Sequence, residues 1–473
     1  MVSGELAILP AGLKSITGVQ ESVVTGMGAA LSMRVVLAMT IAASFAFTLS
    51  TAAHAATITV NSLADPGRVG ICALRDAITA ANTKTARHGC AAGTDSDQIQ
   101  FSVRGTILLA STLPKVTDRN LTINGPASPG IKIDGGGRVQ VMQVALGARL
   151  NLTRLGIANG NNLSTGKGGG IDNEGTLTVT NSTFSRNVAY SIGGGIVNGY
   201  EKTLTVTNST FSGNGAGSGG GISNFGTVTI TNSTFSGNDR EGDNFFTAFG
   251  GGIWSNGTLI VTNSTFSGNG ADFGGSIENE GTLTVTSSTF SQNVAHSAGG
   301  GIANGGTLTV TNSTFSSNGA VFGGGIENEG ALTVTNSTFS SNSANFGGSI
   351  FNEESASLKS TILASSANSG NCSGTITDAG YNISDDMTYG FAKTGSANNG
   401  DGVNLLLSPA GLANNGGPTQ TIALVPGSPA IDVIPLAVCT DQTGRPITTD
   451  QRGFPRPDAG EAVCDIGAYE SSF

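Results

Sequence analysis

Charge is scarce in this chain. Of 473 residues, 22 are Lys or Arg and 32 are Asp or Glu, for a net charge of −10. No Lys/Arg cluster occurs anywhere, which argues against nucleic acid or an anionic membrane surface as partner. Histidine is nearly absent: His54 lies in the leader, His88 in the N-terminal region and His296 alone in a turn. No histidine-based triad or metal site is expected, and no cofactor is implied. Tryptophan occurs once and cysteine five times, with no cysteine in the central region. Apolar runs are missing too, except for Val35 to Leu49, which is short for a membrane span. Glycine is the abundant residue, with 72 copies, a composition that points to a repeat protein.

The N-terminal run follows Arg34 and precedes Ala53-His54-Ala55, a small-x-small cleavage pattern, so residues 1–55 read as an upstream extension and a secretory signal peptide starting at Met33. Export places the cysteines in an oxidising compartment. There Cys72 with Cys90, and Cys439 with Cys464, are expected to close two local disulfides, while Cys372 stands alone. Metal binding is the weaker alternative, since no C-x-x-C occurs.

Between residues 150 and 365 one unit recurs, typified by GGGISNFGTVTITNSTFSGN. Its phenylalanines, Phe184, Phe211, Phe235, Phe266, Phe290, Phe315 and Phe339, follow one another at intervals of 24–31 residues, the period of a solenoid coil. Thr-Leu-Thr-Val-Thr alternates strictly, so Leu177 and Val179 share one face and the threonines the other. Winding the chain stacks such strands in parallel and gives three internal columns: Leu/Val, Phe and the isoleucines of GGGI. Two asparagine columns, Asn173 to Asn352 and Asn187 to Asn342, are expected at corners with positive φ and with amides bonded along the axis. The Asn-Ser-Thr triplets from Asn181 to Asn336 match the glycosylation sequon but recur because the coil recurs. The flanks differ in composition: residues 56–149 read as an N-terminal cap and first coils, with a helical pattern at Ala73–Asn82, and 366–473 as C-terminal coils and cap.

These residues carry a resemblance. Cys72 to Ala77 (CALRDA) resembles the CSLREA-type N-terminal region of secreted bacterial proteins. The repeat resembles those of the pectin-lyase-like superfold and of polymorphic outer-membrane proteins. Gly416 to Asp432 and Thr449 to Glu470 are similar to a choice-of-anchor-type C-terminal module. The resemblance implies an all-β fold, a single-stranded right-handed parallel β-helix (solenoid) with N- and C-terminal caps. The chain stops at Phe473 without an anchor segment, so release or periplasmic residence is expected over covalent attachment.

Many β-helices of this superfold act on polysaccharides, so the resemblance makes carboxylates the first candidates for chemistry. Asp172/Glu174, Glu278/Glu280 and Glu327/Glu329 flank an asparagine column; they read as solvated turns, with cation binding as the alternative. No catalytic residue is assigned. The coil after Asn238 is longer than its neighbours and gathers Asp239, Glu241, Asp243, Phe245, Phe246, Phe249 and Trp254 on one turn, a set suited to a sugar ring or, alternatively, a loop folded back on the coil. The threonine face resembles in kind the surfaces of ice-binding β-solenoids. The reading is therefore an exported, monomeric, non-catalytic scaffold or adhesin-like protein that binds extracellular polysaccharide or a cell surface. A polysaccharide lyase or glycoside hydrolase is the first alternative, and ice binding the second.

Overall fold

A computed structural model describes residues 55–472 apart from positions 129, 165, 240–246, 368, 388, 392–399 and 459. The alternating segments stack into three parallel sheets. Thirteen strands from Ala56–Val60 to Thr377–Asp378 form the threonine sheet, twelve from Gly105–Leu108 to Ile383–Ser384 the phenylalanine sheet, and ten from Met142–Val144 to Cys372–Ser373 the isoleucine sheet. Equivalent residues pair from coil to coil, as Leu177 with Leu204 and Leu204 with Val228. The long coil keeps that register: Ile222 pairs with Ile253 and Phe235 with Phe266.

Alternation decides what goes inside. Leu177, Val179, Phe184 and Ile171, with their equivalents up the rod, are fully buried in one continuous core. Each such side chain contributes ~1.5–3 kcal/mol by leaving water. The seven phenylalanine rings stack face to face, with centroids 4.7–4.9 Å apart and planes within 8°. That spacing is the strand spacing of a sheet, so backbone pairing itself holds the rings in contact.

Polar ladders run beside the rings. From Asn187 to Asn342 each buried amide donates to the next asparagine's Oδ1 at 2.8–3.0 Å. Each acceptor also takes a backbone N–H, as Asn214 Oδ1 does from Asn187, and Asn214 Nδ2 donates to the Phe184 carbonyl, which leaves the buried amide satisfied. A serine ladder from Ser182 to Ser337 accepts backbone N–H groups in the same way.

The corners differ from the sequence expectation. Neither buried asparagine column has positive φ. The left-handed residues are instead the sequon asparagines from Asn181 to Asn336 (φ 45–50°), the residue before each Asn187-type asparagine (Arg186 to Ser341, φ 52–61°) and the first glycine of each GGG run. An asparagine whose amide serves the axial ladder is held by that ladder in ordinary backbone, and its neighbour takes the turn.

The second asparagine column contains one defect. Asn224 Nδ2 donates to Ser255 Oγ, and the ladder resumes at Asn279, whose Oδ1 accepts no hydrogen bond. Restoring the amide with Ser255→Asn is expected to raise stability by ~1 kcal/mol, read as a higher denaturant midpoint at unchanged slope.

Both ends are stapled. Cys72–Cys90 closes the N-terminal cap, where the helix Leu74–Thr83 buries Leu74, Ala77, Ile78 and Ala81. Cys439–Cys464 closes the C-terminal segment, and Cys372 is free and buried. That segment also runs back along the rod. Buried Gln451 bonds Ser288, Thr289 and Thr314, Asn312 donates to the Thr449 carbonyl, and Gln442 reaches the carbonyls of Val334 and Ser357. Asn312, which this segment contacts, is buried, as is Asn336, whereas Asn181, Asn208 and Asn232 are exposed. Arg452 pairs with Asp450, and Arg456 with Glu470, inside this strap. Among the described residues no helix is long and apolar enough to cross a membrane.

Candidate functional site: an aromatic face with buried carboxyls

Of the seven residues of the expected turn cluster, three are described: Asp239, Phe249 and Trp254. Glu241, Asp243, Phe245 and Phe246 lie outside the described residues. Asp239 stands at the entry of the segment that joins the phenylalanine and isoleucine sheets, on the wall of an open trough of about 600 Å³ floored by Gly213, Gly237 and Gly268 and shared with Arg186 and Tyr190. Phe249 and Trp254 stand at the exit of that segment and belong to a different surface.

That surface is the outer side of the isoleucine sheet. The position after each isoleucine points away from the core and stacks by register: Ser223, Trp254, Glu278, Ala303, Glu327 and Phe351 follow one another coil by coil. A second column, the residue before each glycine pair that leads into an isoleucine strand, reads Phe249, Phe273, Ala298, Phe322 and Phe346 over these coils. The two columns touch, since Phe322 meets Phe346 at 5.3 Å and Phe351, one coil on, at 5.1 Å. In the repeat, Phe249 and Glu278 occupy the positions that Phe322 and Phe351 occupy three coils on. Phe249 and Phe273 stack at 5.6 Å. Trp254 meets Phe225 at 4.9 Å, and Phe225 meets Tyr200 at 4.8 Å. The result is a face of half-exposed rings with carboxyl groups set among them.

The carboxyls are not solvated, which corrects the sequence expectation for Glu278 and Glu327. Glu278 is 9% exposed and Glu327 6%, and Glu278 Oε2 has no hydrogen-bond partner. Burial among the rings disfavours the charged form and pushes Glu278 up to about 9, helped by Glu327, Glu280 and Glu329. Burial likewise lifts Glu327 to about 8, with Glu329 and Glu353 adding to it. Asp172, the acidic member of the same column near its N-terminal end, is raised by burial and by Glu174. Glu280 and Glu329 are exposed, as the turn reading supposed. Among the described residues no group of three His, Cys, Asp or Glu is placed to hold a metal ion.

His296 is not alone: its Nδ1 lies 3.3 Å from Asp272 Oδ1, and Asp272 Oδ2 accepts the Ala248 N–H at 2.7 Å. His88 pairs with buried Asp76 at 2.8 Å in the N-terminal cap.

The comparisons concern the fold. Residues 168–339 match the family model of the right handed beta helix region. Among solved structures the chain is similar to pectate lyase Pel9A, at 13% identity and a TM-score of 0.40 over 89% of this chain and 98% of that one. It is also similar to the Streptococcus pneumoniae surface protein and adhesin PfbA, at 13% identity and a TM-score of 0.32 over 66% of this chain and 92% of that one. No curated protein matches. Strand order and family match together make this chain a right-handed parallel β-helix.

Proposed function

We propose that the protein is an exported, non-catalytic β-helix rod that binds an extracellular glycan along its aromatic face, in the manner of an adhesin. The observation that carries this reading is the convergence on one face of eight rings from six coils, Tyr200, Phe225, Trp254 and Phe249 toward one end and Phe273, Phe322, Phe346 and Phe351 toward the other. The core does not need them, because Ile and Phe columns already fill it. The rings form three groups along this face, separated in part by the coil of Ala298 and Ala303, and exposed aromatic surface of this kind supports a binding role. Sugar rings suit it: their C–H faces cover aromatic rings while their hydroxyls meet carboxyl groups beside them.

Catalysis fits less well. Two-carboxyl glycoside hydrolysis needs one protonated and one ionised group at the working pH. Burial here favours the protonated form of both Glu278 and Glu327 at neutral pH, leaving the pair without a base.

Retention of the purified protein on a panel of immobilised cell-wall and plant polysaccharides tests the reading. Trp254→Ala and Phe322→Ala are each expected to weaken retention at least about tenfold, the scale of a lost anchor at the centre of an interface, whereas Thr284→Tyr on the threonine sheet leaves it unchanged. Retention indifferent to both aromatic changes, or shortening of the polymer that Glu278→Gln abolishes, overturns it.

A further inference from the structure

Charge is not only scarce but unevenly placed along the rod. Residues 56–202 hold 14 Lys or Arg against 9 Asp or Glu, and residues 203–473 hold 6 against 21. The first coils are therefore net positive and the rest net negative. Winding then gathers like charges that the chain order keeps apart.

On the edge between the threonine and phenylalanine sheets, the residues before Gly105, Ile131 and Leu155 stack coil on coil as Arg104, Gly130 and Arg154. Lys132 stands beside this column, and an open trough of about 550 Å³ runs past Gly105, Lys132, Arg154 and Gly156. Neutral acceptors hold both guanidinium groups in place. Arg154 Nε donates to the Gly125 carbonyl at 2.9 Å, and Arg104 Nη1 donates to the Ala127 and Ser128 carbonyls at 3.3 and 3.2 Å. Among the described residues no carboxylate pairs with either arginine, whereas Lys132 pairs with Asp134 at 2.8 Å.

On the edge between the isoleucine and threonine sheets, the residue after each buried asparagine stacks in the same way, reading Glu280, Gly305, Glu329 and Glu353. The three glutamates are exposed. Arg240 is the one Lys or Arg between Lys202 and Lys359, so the rod offers these carboxylates little to pair with. The two columns share a pattern. Arg104–Gly130–Arg154 and Glu280–Gly305–Glu329 each set two like charges two coils apart across a glycine, ~10 Å at the strand spacing of a sheet. Arginine on one rod can therefore meet glutamate on another at both rungs.

We propose that the two columns join copies of this chain, Arg104 and Arg154 of one rod docking on Glu280 and Glu329 of the next. The contact is heterologous, because each column meets the other and never its own kind. The columns lie on different edges with the threonine sheet between them, so two copies side by side make one contact and leave one column of each kind free. Further copies add there, and the product is an open chain rather than a closed dimer. A polyanion long enough to leave the trough meets the acidic coils beyond it, which favours a second copy as the occupant. The association does not depend on the glycan reading, though a chain of rods presents the aromatic face repeatedly to one polymer.

Sedimentation velocity across a concentration series tests it. At ~0.01 M ionic strength, where charges are felt over ~30 Å, the weight-average mass is expected to rise with concentration to at least about twice the monomer; at ~1 M, with a reach of ~3 Å, it returns to the monomer. Arg104→Glu with Arg154→Glu, and Glu280→Arg with Glu329→Arg, are each expected to stay monomeric at low salt, and their equimolar mixture to associate again. Arg154→Asn takes the residue that Asn181 supplies at the same left-handed corner one coil on, and is expected to weaken association at least about threefold with far-UV dichroism unchanged. Arg68→Glu with Arg119→Glu, an equal charge change at exposed cap positions, is expected to leave it intact. A parent protein that stays monomeric at low salt, or whose mass is indifferent to salt, overturns the proposal. So does undiminished association of Arg154→Asn, and so does an equal loss in the cap variant, which reduces the effect to diffuse charge.

Discussion

Phe266→Ala is expected to cost ~3–5 kcal/mol of stability, the range for deleting a buried aromatic. The ring is fully buried and stacks on Phe235 at 4.8 Å and on Phe290 at 4.9 Å. Both contacts vanish together, and each aromatic pair is worth ~0.5–1.5 kcal/mol beyond its buried area. Collapse around the cavity is resisted, because the asparagine ladder beside it fixes the coil spacing through Asn238, Asn269 and Asn293. The solenoid couples mainly nearest neighbours, so the loss is local and divides unfolding into two steps around this coil. Denaturant unfolding monitored by far-UV dichroism checks it. Phe273→Ala, a half-exposed ring of the outer face, is the control and is expected to cost less than ~1.5 kcal/mol.

Glu278→Gln is expected to make the protein more stable, and increasingly so as pH rises. The group's folded value, about 9, lies above its ordinary carboxylate value of 4.5. Below the ordinary value both folded and unfolded chains hold the proton, and nothing is lost. Between the two values the unfolded chain releases its proton while the folded chain keeps it, so stability falls as pH rises, by at most ~1.4 kcal/mol per pH unit, and levels off above the folded value. Glu327 acts in the same sense up to about 8. The glutamine variant is therefore expected to match the parent near pH 4.5 and exceed it by on the order of 3 kcal/mol at pH 8. Parallel stability curves for the two proteins across pH 4.5–8.5 would mean that the carboxyl is solvated after all.

Much of the fold was legible because the coil repeats. Alternation in Thr-Leu-Thr-Val-Thr placed Leu177 and Val179 inside, the 24–31 residue period predicted the stacking of the phenylalanines, and the cysteine positions predicted both disulfides. Two features leave no periodic trace along the chain. The strap made by Gln442, Gln451 and Thr449 has no periodicity, and its partners lie more than a hundred residues away in sequence for Val334, Thr314 and Asn312. The burial of Glu278 also escaped, because a residue after an inward isoleucine points outward and outward normally means solvent. Here the outside is lined by Trp254 of the preceding coil. A signal was present: aligned by coil rather than by chain, Trp254, Glu278, Glu327 and Phe351 fall in one column, and Phe249, Phe273, Phe322 and Phe346 in the next. Of the acidic and aromatic residues after Asn238, Trp254 pairs in register with Glu278 of the coil that follows and Phe249 with Phe273.

Trp254 is the chain's single tryptophan and sits on the face assigned to the ligand. Its fluorescence during titration with the best-retained glycan is the most direct measurement of the account. The expected result is a saturable change in intensity and emission wavelength whose midpoint equals the dissociation constant measured by calorimetry. Calorimetric binding with the Trp254 emission unaltered through saturation would contradict it, since the glycan would then occupy another face of the rod.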